Sequence, residues 1–242
     1  MRVSVIVPCF NEEKNIRQVV SGILTEFDHK KIEGEIICVN DGSSDSTEEA
    51  ISSCTRSFKN VRNITHAKNL GIGASFWDGV SVAKGEFVVM IPGDNENSSG
   101  SILEWAQTEI KYDIIVPYIV NTSVRSVYRR ILSTLFIKLI NSLCRTTFKY
   151  TNGTVLYKKA VLQQIKIRRA GFFYQTDALV RAVAGGATFL EVPSHLRREQ
   201  KGRRSNALKF SVLSDITKDF VILLFDLHVA KTIKNLRFKP SS

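Results

Sequence analysis

The sequence has few cysteines, no long apolar run, and one long stretch without any acid. Its 242 residues include four cysteines, Cys9, Cys38, Cys54 and Cys144. No two of them form a C-x-x-C pair, which argues against a zinc site. Cys9 and Cys38 lie in or beside strand-like apolar runs, so they are expected to be reduced and buried, acting as small hydrophobes. No apolar stretch reaches the ~20 residues that span a bilayer. The N-terminus runs straight into a strand pattern without a signal-peptide signature. Both absences predict a cytoplasmic protein, peripheral on the cytoplasmic face of a membrane if it meets one. The third absence is local. No Asp or Glu occurs between Ile114 and Thr176, a stretch that carries Arg125, Arg129, Arg130, Lys138, Arg145 and Lys149 among other cations. With a net charge of +11, the chain favours an anionic partner: nucleic acid, a membrane surface or a phosphorylated substrate.

Hydrophobic residues make up 43% and charged residues 24%, as in a folded globular protein. The length suits one large α/β domain or two small ones. Val3 to Val7 is a continuous apolar run ending at Pro8, the pattern of a buried parallel strand. A helix pattern follows from Glu12 to Phe27. Strands are expected at Glu35–Val39, Val61–Thr65, Phe87–Ile91 and Asp113–Val116, with helices between them, one capped by Asp45 or Ser46 and one over Asn69–Ala83. This alternation predicts a parallel sheet with helices on both faces. In the second half, Tyr128, Ile131, Leu132, Leu135, Phe136, Leu139, Ile140 and Leu143 recur at helical spacing among cations, the pattern of an amphipathic helix in one piece or broken in two. Thr188 to Val192 reads as a strand, and Ala207 to Leu236 as helix. One domain over 1–206 and a helical extension over 207–242 are expected.

In such sheets ligands bind beyond the carboxyl ends of the strands. Three of these ends run into polar clusters: Pro8-Cys9-Phe10-Asn11-Glu12, Asn40-Asp41-Gly42-Ser43, and Pro92-Gly93-Asp94-Asn95-Glu96. Asp41 suits a ribose or the N–H edge of a base, although a turn closed by Asp45 explains the same residues. Asp94 and Glu96 suit Mg²⁺ or Mn²⁺ with a diphosphate, although a polar loop would look alike. His195, Arg197, Arg198, Lys201, Arg203 and Arg204 form a basic loop suited to phosphates or simply to solvent. Asp177 opens a helix pattern, as a first-turn acid or a catalytic base.

Together these segments resemble the family 2 glycosyltransferases, and within them the dolichol-phosphate mannosyltransferase-like branch. The resemblance runs from Val3 to about Asn206. It is carried by VSVIVPCFNEEKNI, EIICVNDGSSDST, NLGIGASFWDGVSVAKGEFVVMIPGDNE and FFYQTDALVRAVAGGATFLEVPSHLRREQKGRRSN, in the family's order. It implies a GT-A fold, a Rossmann-like and mostly parallel mixed sheet, and an inverting transfer from a nucleotide-sugar donor carrying UDP or GDP. By position, Pro8, Phe10, Glu12 and Asp41 would hold the nucleoside. Asp94 would be the last acid of the D-x-D motif and Glu96 a second metal ligand. Asp177 would match the acid opening the later helix, and Arg198 and Arg203 would approach phosphates. The sequence departs from the pattern at Pro92, where the first D-x-D acid is usual, and at Asn40. The transmembrane tail of many relatives is not expected.

The basic amphipathic helix suits a membrane surface carrying a lipid phosphate, such as a polyprenyl phosphate. A glycan hydroxyl is the alternative acceptor, with Asp177 as base. A nucleic-acid partner is not expected, since acids at the strand ends would repel phosphates. A nucleotidyltransferase lacks its glycine-rich basic signature here.

Overall fold

The computed structural model describes residues 2–94, 99–107, 111–121, 127–195 and 210–228. The first strand, β1 (Arg2–Cys9), is buried from Val3 onward and lies inside the sheet, third from one edge. Helix α1 (Ile16–Lys30) returns the chain to β2 (Glu33–Asn40), and α2 (Thr47–Ser57) leads to β3 (Val61–Thr65). Helix α3 (Ile72–Val82) then crosses to β4 (Phe87–Met90), on the other side of β1. After α4 (Ser99–Leu103) come β5 (Ile114–Ile119), α5 (Val127–Cys144), β6 (Leu156–Lys158), α6 (Lys159–Gln164), α7 (Tyr174–Ala184), β7 (Phe189–Ser194) and α8 (Phe210–His228). The order across the sheet is β3-β2-β1-β4-β6-β5-β7. Strand order therefore reverses between β1 and β4, the place where such sheets bind ligands.

The sheet is mixed and mostly parallel, as the family resemblance implies, because β6 runs antiparallel to both β4 and β5. Only three residues long and lacking a strong apolar run, β6 left little mark in the sequence. The remaining pairs are parallel. Alternation along β1 serves both faces. Val3, Val5 and Val7 pack under α1, α2 and α4, whereas Ile6 joins Phe76, Val80, Ile140, Leu179 and Leu223 of α3, α5, α7 and α8 on the other face. All four cysteines are free and buried, Cys9 and Cys38 as expected.

Two helices begin later than their periodicity suggests, for a shared reason. Asn11 adopts a left-handed φ of 57° and the Glu12 carbonyl closes a turn on Asn15 and Ile16, so α1 starts at Ile16. Gly71 has a φ of +100°, outside the helical region, so α3 starts at Ile72, and the Leu70 and Gly71 amides before it are taken by Asp41. Ser46 precedes α2 without a side-chain cap, while Asp45 accepts the Thr47 amide at 3.0 Å. The amphipathic helix is unbroken over the 18 residues of α5. Of the segment 207–242, α8 is described; its Leu223 is fully buried and its Phe220 meets Phe173 edge-on, with ring centroids 6.0 Å apart.

Opposite the ligand edge, a buried network holds the sheet. Ser4 donates to Glu35 at 2.6 Å, the Lys84 amide donates to the same carboxylate at 2.6 Å, and Arg62 completes it with an ion pair at 2.7 Å.

Candidate active site

Backbone hydrogen bonds draw the polar ends of β1, β2, β3 and β4 into one edge. The Gly93 amide donates to the Pro8 carbonyl at 3.1 Å, the Asp41 amide to Cys9 at 2.8 Å, and the His66 amide to Asn40 at 2.9 Å. The loop after β1 is bound to the loop after β2. The Asn11 amide donates to Ser43 Oγ at 3.0 Å, the Ser44 amide to Asn11 Oδ1 at 2.9 Å, and the Glu12 amide to Thr47 Oγ1 at 2.8 Å. Pro8 is a buried part of the strand itself. Phe10 is 48% exposed beside this edge. Glu12 is buried and accepts the Asn15 side-chain amide at 2.6 Å. Asn40 braces the turn, donating to Glu48 at 2.7 Å and accepting the Ser43 amide at 3.1 Å.

Asp41 is the most heavily engaged of these residues. Its Oδ1 accepts the Leu70 amide at 2.8 Å and faces His66 Nδ1 at 2.8 Å, while Oδ2 accepts the Gly71 amide at 2.9 Å. The other ring nitrogen of His66 faces Asp78 Oδ2 at 3.1 Å. Gly42 makes this possible. Its φ is +67°, and a Cβ there would lie 2.4 Å from the Lys68 backbone, so only glycine lets the two loops meet.

Asp94 follows Gly93 and is half-buried at the end of β4. Gly93 is packed against β1; a Cβ there would come within 3.0 Å of the Pro8 carbonyl. Glu96, Arg198 and Arg203 lie outside the described residues, as do Arg197, Lys201 and Arg204. Among the described residues no three His, Cys, Asp or Glu side chains converge as a metal cluster. Asp94 brings a carboxylate to the β1–β4 junction. This hard-oxygen donor suits Mg²⁺ or Mn²⁺ shared with a diphosphate.

Asp177 lies in the first turn of α7 and is fully buried. Its Oδ2 accepts Arg181 Nε at 2.9 Å, and its Oδ1 lies 3.7 Å from Arg169. Asp226 and Asp219 of α8 join the same cluster, Asp226 through Arg181 at 2.6 Å. Burial pushes the Asp177 carboxyl above its usual range, against the pull of the two arginines.

The glycosyl transferase family 2 model matches residues 4–166, well over half of the chain. The chain belongs to glycosyl transferase family 2. Among its relatives, an uncharacterized glycosyltransferase of Synechocystis is 30% identical over 119 residues, which are 48% of this chain and 36% of that protein. The poly(ribitol-phosphate) beta-glucosyltransferase of Bacillus spizizenii is 30% identical over 43% of this chain and 17% of its own length. The chain therefore spans well under half the length of these two curated relatives. Among solved structures, glucosyl-3-phosphoglycerate synthase from Mycobacterium tuberculosis with phosphoglyceric acid superposes with a TM-score of 0.68 at 16% identity, covering 93% of this chain and 79% of that one. The same synthase with Mn²⁺ and UDP-glucose gives a TM-score of 0.64 at 15% identity, covering 93% and 78%. These similarities establish the GT-A type of fold.

Against this family 2 frame, two features went unread in the sequence. His66 follows β3 as Asp41 follows β2, a polar residue just past a strand end whose position alone was the available signal. The Thr151-Asn152-Gly153 turn before β6 is pinned by α7, with Thr176 Oγ1 3.1 Å from Thr151 Oγ1 and Gln175 donating to the Gly153 carbonyl at 3.1 Å. These polar contacts join residues more than 20 positions apart, so no local pattern announces them.

Proposed function

We propose that this family 2 chain transfers a glycosyl group, with inversion, from a nucleoside diphosphate sugar to a lipid phosphate at a membrane surface, in the manner of the dolichol-phosphate mannosyltransferase-like branch. The observation that carries this reading is the level at which a cationic groove meets the sheet edge. Val89 of β4 and Ile115 of β5 both pair with Leu156, so Tyr118 stands as far beyond that row as Pro92 does. Two strand spacings, about 10 Å, separate them. At Tyr118 opens a groove of about 560 Å³ whose walls include Val127, Arg130, Ile131, Thr134 and Lys149. Lys149 lies over the Tyr118 ring at 4.5 Å and is partly offset by Glu191, 3.9 Å away. A phosphate ester on an apolar chain matches both the cations and the apolar wall.

Helix α5 supports the same acceptor. Val127, Ile131, Leu135 and Leu139, each a turn apart, are exposed, beside exposed Arg130 and Lys138. Such a face suits an anionic lipid surface, where apolar side chains enter and cations meet headgroups. No helix among the described residues is long and apolar enough to cross a membrane.

In this reading Phe10 offers its exposed ring to the nucleoside, Pro8 and Glu12 shape the wall beneath it, and Asp41 accepts from the base. Asp94, with Glu96 beyond the described residues, would hold Mg²⁺ or Mn²⁺. The ion would offset charge growing on the departing diphosphate. Arg198 and Arg203 would bind phosphate oxygens. An oxygen of the acceptor phosphate attacks the anomeric carbon from the face opposite the leaving group. The bond to the diphosphate breaks, and the nucleoside diphosphate leaves with its electron pair. A phosphate acceptor is already anionic and needs no base. Asp177 would serve as one only for a hydroxyl acceptor.

The test is thermal melting with UDP- and GDP-sugars, with and without Mn²⁺. A donor at a hundredfold excess over its Kd adds about 2.7 kcal/mol, which raises Tm by about 5–10 °C in a chain of this size. The metal-dependent part of the gain is expected to vanish in Asp94→Ala. No shift with any donor would sink the donor reading. Transfer to a soluble glycan but never to a polyprenyl phosphate would sink the acceptor half.

A further inference from the structure

We infer that His66 sets the base specificity of the donor site by filling one side of Asp41, so that the site takes a uracil-type rather than a guanine nucleotide. The inference rests on the reading of Asp41 as the residue that meets the base.

An ionised carboxylate has about four lone-pair positions, two on each oxygen. On Oδ1 both are used, by the Leu70 amide at 2.8 Å and by His66 Nδ1 at 2.8 Å. On Oδ2 one is used, by the Gly71 amide at 2.9 Å. One position remains, on a side chain that is 5% exposed. A single opening of this kind accepts a single N–H.

The orientation of His66 follows from its neighbours. Asp78 Oδ2 lies 3.1 Å from Nε2, so the ring stands between two carboxylates. A lone pair on Nδ1 would face the Asp41 oxygen at 2.8 Å and be repelled by it. A hydrogen on Nδ1, donated to Asp41, is therefore the favoured arrangement, whichever state Nε2 adopts. The side chain is 6% exposed and held at both nitrogens. The amide donors are equally fixed, because Leu70 and Gly71 precede α3, whose first amides at Gly73 and Ala74 are held by the Ala170 carbonyl at 2.7 and 3.2 Å.

The bases differ in what they present to such an acceptor. Uracil and thymine offer one N–H, at N3, flanked by two carbonyl oxygens. Guanine offers two parallel donors, N1–H and the N2 amino group, and binds a carboxylate well only when both oxygens are open. Cytosine presents a bare ring nitrogen beside its amino group, and that lone pair faces the carboxylate. With Oδ1 filled, guanine leaves a donor unpaired in a mostly buried place and cytosine meets repulsion, whereas uracil is fully served. His66 is thus a positioning residue acting through Asp41, and Asp78 is its anchor.

The test is calorimetric titration of the full chain with UDP, CDP and GDP in the presence of Mg²⁺. Wild type is expected to bind UDP at least about tenfold more tightly than GDP or CDP, the size of effect an unpaired buried donor produces. His66→Leu opens the second position on Oδ1 and is expected to bring the UDP-to-GDP ratio to within about threefold. His66→Gln, which keeps a donor, is expected to restore most of the preference. A merely structural role would weaken all three nucleotides together and leave the ratio alone. GDP binding as tightly as UDP to wild type would overturn the inference without any variant, as would an unchanged ratio in a folded His66→Leu protein. If His66→Leu does not fold, Asp78→Ala, at a half-exposed anchor, is expected to lower the same ratio. If none of the three nucleotides binds wild type, the donor reading falls, and this inference with it.

Discussion

Asp177 is a carboxylate whose surroundings constrain its work. It is enclosed with Arg169 and Arg181 and, through them, with Asp219 and Asp226 of α8. Asp177→Asn leaves two carboxylates against two arginines but weakens the charge-assisted bond from Arg181, a loss of about 1.5–3 kcal/mol. It is therefore expected to lower Tm by about 3–12 °C while turnover with a lipid phosphate stays within about tenfold of wild type. Turnover abolished at unchanged Tm would instead make Asp177 the base for a hydroxyl acceptor. Asp94 presents the complementary case, a half-buried carboxylate at a ligand edge whose loss should be felt in metal-dependent donor binding.

At the scale of elements, α5 has two neighbouring apolar rows. One, with Phe136, Ile140 and Cys144, packs into the core; the other, with Val127, Ile131, Leu135 and Leu139, faces outward. Helix α8, which touches α5, adds exposed Val221 and Phe225. A substitution on the outer row should change surface binding without disturbing the fold. Leu135→Glu is expected to cut co-flotation with vesicles of anionic lipid at low salt by about tenfold, with Tm unchanged within about 2 °C. Wild-type protein that stays in solution under the same conditions would remove the membrane from the proposal.

At the scale of the molecule, acid stability depends on the far edge of the sheet. Burial acts to raise the Glu35 carboxyl, but the Ser4 hydroxyl, the Lys84 amide and Arg62 outweigh it and leave it below the usual range. A carboxyl lowered on folding contributes stability that is complete above its unfolded value, about pH 4.3, and is lost as pH falls through the lower folded value. Asp113, held by Thr188 and Lys158 against its own burial, adds to the same trend. Tm is therefore expected to fall as pH drops below about 4. Glu35→Gln is expected to be less stable at pH 7 and to show a shallower acid slope. Parallel slopes in the two proteins would exclude Glu35 as a source.

The sequence by itself determined the strands whose apolar runs are complete. Val3–Val7, Glu35–Val39 and Phe87–Ile91 read as buried parallel strands, since each apolar run is too short for a buried helix and stops at turn residues. Their polar ends marked Asp41 and Asp94 as candidates because a chain leaving such a strand emerges at one edge. What sequence left open depended on contacts between distant residues. The three-residue β6 is a strand only because β4 and β5 lie on either side of it. The enclosure of Asp177 depends on α8, more than 30 residues further along. Asp41 reads identically in sequence whether its oxygens are open or filled. The tertiary structure decided that question by bringing His66 and the Leu70 and Gly71 amides to it, because hydrogen-bond saturation depends on the assembled fold.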